Sequence, residues 1–137
     1  MKYLIVLLLL GITTTAYCQN SREQVFDLVE QMPQFPGGDD SMRHYLLYHI
    51  DYPEYSKNHH IEGRVDVRFT VNEDGHLSDI RVIRGQVPDI NAEAVRVVRS
   101  FPNFTPGMHD GHPVKVTIIL PIVFQLAENE AQRKKKK

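Results

Sequence analysis

The residue types in this 137-residue chain that can bind a metal or move a proton are seven histidines, one cysteine and a few paired acids. The tightest grouping is the stretch MHDGH, which puts His109, Asp110 and His112 in one loop. Two imidazoles and a carboxylate are metal ligands. The loop, however, contains Gly107 and Gly111 and no third strong ligand nearby in sequence, whereas metal sites hold their ligands on rigid elements at set spacings. A solvated turn is the simpler reading. His59 and His60 are adjacent, so their side chains point apart in most backbones. Asp39 and Asp40 follow PGG where a helix begins, and capping accounts for them. Gly37 and Gly38 are not followed by a Lys-Ser or Lys-Thr pair, so there is no phosphate loop. Nothing converges into a catalytic constellation. The chain is read as a non-enzyme with no catalytic residue, no metal and no other cofactor.

Binding is the alternative to catalysis, and it directs attention to the elements. Residues 63–71, GRVDVRFTV, alternate strictly: Val65, Val67, Phe69 and Val71 face one way, Arg64, Asp66, Arg68 and Thr70 the other. That pattern is a half-buried strand. Asp74-Gly75 is a hairpin signal, and LSDIRVIRG returns from it with Ile80 and Val82 inward. PDINAEAVRVVRSF reads as a helix, with Asp89 as its cap and Ile90, Ala94, Val95 and Val98 on one face. Pro102 stops it, and FTPGMHDGHP reads as a loop. VKVTIILPIVF, residues 114–124, is the longest strand, with Val114, Val116, Ile118, Leu120, Ile122 and Phe124 on one face. Upstream, PQFPGGDD is a turn, SMRHYLLYHI a helix, and Pro53 opens one more helical turn. The order fits an α+β fold, a three-stranded antiparallel sheet with two or three helices packed on one face.

Pro121 has no N–H to give to a ladder, and strand prolines are confined to edges. The last strand is therefore expected at a sheet edge, where unpaired backbone groups can accept a strand from a partner. Because amides alternate in direction, the parity of Pro121 suggests that positions 115, 117 and 119 face the free edge.

The ends complete the reading. Residues 1–18 have Lys2, an apolar run from Tyr3 to Ile12 and small residues at Ala16 and Cys18, the layout of a signal peptide cut after Cys18. A marginal membrane anchor is the alternative. Lipidation of Cys18 is less well supported, since Tyr17 and Thr15 occupy positions that want a small and a Leu-like residue. Residues 19–34 read as a linker, 35–126 as the domain and 127–137 as a basic tail, solvated and frayed. The formal charge of −1 gives no reason to expect nucleic acid.

Taken in order, Tyr52-Pro53, IEGRVDVRFTVNEDGHLSDIRVIRG, AEAVRVVRSF, FTPG, GHPVKV and LPIVF resemble the C-terminal domain of the TonB family, over about residues 35–125. PQFPGG resembles the lead-in of a family branch with an extended N-terminal side. The resemblance implies a periplasmic energy-transducer module that binds the TonB box, an extended segment of TonB-dependent outer-membrane receptors, as a strand added beside the last strand. It implies partner contacts at Lys115, Val116, Thr117, Ile118, Ile119 and Leu120, and second-rank contacts at Tyr52 and Pro53. Inner-membrane proton-driven motor proteins would be further partners of an anchored form. The chain departs from the family pattern in its cleavable leader, in the lack of a Trp before the PG loop, and in its short spacer. Sixteen residues from Gln19 to Gln34 reach at most about 58 Å. The rival reading is a stand-alone periplasmic adaptor or peptide-binding protein with no energy-transducing role. A homodimer joined through the free edge is a further expectation.

Overall fold

The computed structural model describes residues 29–136. Its elements are helices α1 (Asp39–His49) and α2 (Glu54–Asn58), strands β1 (Gly63–Val71) and β2 (Leu77–Arg84), helix α3 (Pro88–Arg99), strands β3 (Gly107–His109), β4 (His112–Val114) and β5 (Val116–Phe124), and helix α4 (Leu126–Lys135). The main sheet is antiparallel, in the order β2-β1-β5, and β3 and β4 form a separate hairpin. The expected three-stranded α+β architecture is therefore present. Among the described residues no helix is long and apolar enough to cross a membrane. The expected cleavage site and anchor lie outside the described residues.

The alternation of β1 sets the core. Val65, Val67, Phe69 and Val71 are all at most 1% exposed, and they meet Ile122 and Phe124 of β5 and Ile90, Ala94, Val97 and Val98 of α3. On α3 the fully buried residue is Val97 rather than the expected Val95, which is half-buried. Helices favour proline at their first position, and α3 starts with Pro88 there and Val87 as its N-cap. Asp89 is thus not the cap. It accepts the Ile90 N–H and the hydroxyl of fully buried Ser56, at 2.8 Å each, tying α2 to α3. For α1 the N-cap is Gly38, with φ of 87°, and Asp39 and Asp40 occupy the first turn, where carboxylates complement the helix dipole.

Between β1 and β2 the chain turns as a three-residue loop. Asn72 N–H donates to the His76 carbonyl and Gly75 N–H to the Asn72 carbonyl, both at 2.9 Å, with Gly75 at φ of 87°. A Cβ on Gly75 would stand 2.1 Å from the Phe104 carbonyl oxygen, so glycine is required there twice over.

Three regions depart from the expectations. FTPGMHDGHP is not only loop: Asp110 and Gly111, at φ of 48° and 73°, form the two-residue turn between β3 and β4. The segment before α1 is not a free linker at its C-terminal end. Gln31 and Met108 exchange backbone hydrogen bonds of 3.2 and 2.9 Å, and Gln34 and Thr105 bonds of 3.0 and 2.8 Å. This strap delivers Phe35 into an aromatic cluster, edge-on to Tyr45, Phe101 and Phe104 at 5.3–5.6 Å between ring centres. The expected frayed tail is instead helix α4.

Candidate functional site

β5 pairs with β1 along one side and carries no strand on the other among the described residues. Nine consecutive pairs, from Val71↔Val116 to Gly63↔Phe124, run without a slip and pass through Asp66↔Pro121. In an antiparallel ladder, alternate residues turn both backbone groups toward the neighbour and the rest turn both away. Proline leaves such a ladder intact only where its nitrogen looks away from the neighbour. Position 121 therefore has the outward phase, and so do Thr117, Ile119 and Val123. An independent contact agrees. Side chains approach more closely in pairs that are not hydrogen-bonded, and the Thr70 and Thr117 hydroxyls lie 3.3 Å apart.

The burial pattern shares that parity. Val116, Ile122 and Phe124 are buried, and Ile118 and Leu120 pack half-buried against the core. Ile119 and Val123 are 55% and 53% exposed, large for apolar residues in a strand. Four positions on one side of β5 thus combine outward backbone groups with exposed side chains, and none of the nine residues is charged. Behind Pro121, Asp66 is 7% exposed and accepts the Arg64 Nε–H at 2.8 Å.

The residues named from sequence divide accordingly. Thr117 and Ile119 belong to the free edge. Val116, Ile118 and Leu120 share the strand but face the core and β1. Lys115 is exposed between β4 and β5, because Val114 is drawn into the hairpin opposite Gly107 and the strand begins two residues later than its alternation suggests. Val123 was not named from sequence; it lies on the same free edge, and its parity with Pro121 is visible in the sequence. Tyr52 stacks edge-on against Phe124 at 5.7 Å, and its hydroxyl donates to the Ile61 carbonyl. Burial, with Glu62 and Asp89 nearby, raises its pKa above the ordinary phenol value. Tyr52 thus braces the end of β5, and Pro53 caps α2 beside it. In the β3–β4 hairpin, His109 Nε2 lies 3.4 Å from Asp110, and no group of three or more His, Cys, Asp or Glu side chains fit to hold a metal occurs among the described residues.

Comparison with known proteins matches the domain that carries this strand. Residues 48–126 match the family model described as the Gram-negative bacterial TonB protein C-terminal. Protein TonB from two Helicobacter pylori strains is 33% identical over 79 residues, which is 57% of this chain and 26–27% of those proteins. The matched region thus spans about a quarter of the length of these relatives. The solution structure of the Helicobacter pylori TonB C-terminal domain, residues 194–285, superimposes with a TM-score of 0.50 at 25% identity, covering 63% of this chain and 90% of that one.

Proposed function

Since the chain belongs to the family of Gram-negative TonB protein C-terminal domains, we propose that it is a periplasmic recognition module that takes an extended receptor segment as a fourth strand beside β5. The partner class is the N-terminal TonB box of TonB-dependent outer-membrane receptors, and the process served is transport across the outer membrane. No chemistry is required of the domain; its work is holding.

The observation that carries this reading is the uncharged, unslipped free side of β5, with Pro121 turned outward. Main-chain bonds supply affinity in strand addition, and alternate side chains supply selectivity. Thr117, Ile119 and Val123 offer both N–H and C=O to a new strand, and Pro121 offers its carbonyl alone. Register past Pro121 is then fixed by what the partner cannot do there: an acceptor placed opposite that nitrogen goes unpaired.

Isothermal titration with a synthetic receptor N-terminal peptide tests it. Ile119→Pro deletes one outward donor and should abolish measurable binding while leaving the thermal melt close to the parent. Binding that survives unchanged in a folded Ile119→Pro protein would remove β5 as the site.

A further inference from the structure

The last four residues, Lys134 to Lys137, carry four positive charges in a chain whose total is −1, so the rest of the chain sums to −5. Helix α4 runs through Lys135, and Lys134, Lys135 and Lys136 are exposed at its C-terminal end. That end is moored: Lys136 Nζ donates to the Tyr48 carbonyl of α1 at 2.9 Å. Tyr48 is 42% exposed beside it. α1 packs through Met42, Tyr45 and Leu46 on the helix-covered side of the sheet, so the lysines are held on that side while the outer face of the sheet stays clear.

We propose that this lysine end of α4, with Tyr48, docks on an anionic lipid surface. The chemistry favours a bilayer over a shaped acidic partner. Lysines are compact, hydrated point charges without the fork that reads a carboxylate bidentately, and a run of them suits a diffuse field of headgroups. An exposed tyrosine at their base is the amphipathic ring that rests at headgroup level. Lys136 is partly engaged by the Tyr48 carbonyl, which leaves Lys134, Lys135 and Lys137 as the principal contributors.

The test is co-sedimentation of the full chain with vesicles of phosphatidylcholine alone and with 30% phosphatidylglycerol, about 0.15 M salt being the physiological level of screening. The apolar run from Tyr3 to Ile12 adds the same baseline to every variant. Binding to the anionic vesicles should exceed that baseline and fall back to it at about 1 M salt, where screening acts within roughly 3 Å. A lysine near such a surface contributes about fivefold, so the triple change Lys134→Gln, Lys135→Gln, Lys137→Gln should weaken the anionic component by about 100-fold. The matching triple change to Arg should retain it, with both variants melting like the parent. Equal binding to both vesicle types overturns the proposal. So does anionic binding that the glutamine variant keeps, or capture by soluble polyglutamate with no preference for anionic vesicles.

Discussion

Along β2, the outer strand on one side of the sheet, Asp79 turns through φ of 51° and the pairing with β1 slips register twice. Along β5, on the other side, nine pairs follow one another without a slip. β2 also carries Asp79, Arg81 and Arg84, with Arg81 and Asp79 3.7 Å apart, while β5 has no charged residue. Irregular backbone and charge are how proteins blunt an edge against unwanted pairing. One edge of this sheet is blunted and the other is left straight, with a single proline limiting it. The contrast teaches that the bare edge of β5 is not a general feature of a small sheet: the same three strands protect themselves where protection is wanted.

The contrast is broken most severely through the strand that both edges share. Phe69 is 1% exposed in the middle of β1. Phe69→Ala should cost about 3–5 kcal/mol, read as a lower urea midpoint, with both edges lost together. Next is a pair of prolines one residue apart. Ile118→Pro removes an N–H directed at β1 and should cost about 1–3 kcal/mol for the stranded acceptor alone, while Ile119→Pro should stay within about 0.5 kcal/mol. Equal losses in the two melts would mean that the phase assigned to β5 is inverted. On the other edge, Asp79→Val places a β-branched residue at a positive φ and should cost about 1–2 kcal/mol, where Thr117→Val on β5 should be near neutral by the same melt.

The smallest effect concerns the turn that begins β2. The Asp74 carboxyl lies below its ordinary pKa because it accepts the His76 backbone N–H, with the His76 ring also near. A depressed folded-state pKa adds stability above the ordinary carboxylate pKa and loses it as pH falls through the folded value. Asp74→Asn should therefore lower stability slightly at neutral pH and converge with the parent at low pH, which flattens the acid limb of a stability-versus-pH curve.

What could be read in advance follows from how local each signal is. The inward set of β1 is a period-two pattern, complete within nine residues, and all four of its residues are buried, although Asp66 of the opposite face is buried as well. The edge placement of β5 rested on one residue, Pro121, and the sheet order agrees with it. The β3–β4 hairpin escaped notice because its arms are three residues long and contain His109, His112 and Pro113, which show no apolar alternation around Asp110-Gly111. The strap escaped because its partners, Thr105 and Met108, lie 71 and 77 residues from Gln34 and Gln31, and no local pattern announces so distant a pairing. α4 was hidden by its composition, since a run of lysines reads as solvated whether or not it is helical. On β5, the parity of Pro121 pointed to positions 115, 117 and 119, of which Thr117 and Ile119 lie within the strand, while Val116, Ile118 and Leu120 were named because they share the strand rather than its outward side.

The order β2-β1-β5 also bears on how the chain reaches its folded state. β1 and β2 are joined by a short turn and can pair early, whereas β5 begins about 45 residues after β1 ends. Distant pairing is slow, because closure of the intervening chain comes before any contact rewards it. Until β5 arrives, the second side of β1, with Val65, Val67 and Phe69, stands as an uncovered hydrophobic strand in a two-stranded hairpin that is marginal in water. By this topology the central strand, not the last one, is the edge that stays unpaired until the most distant contact forms.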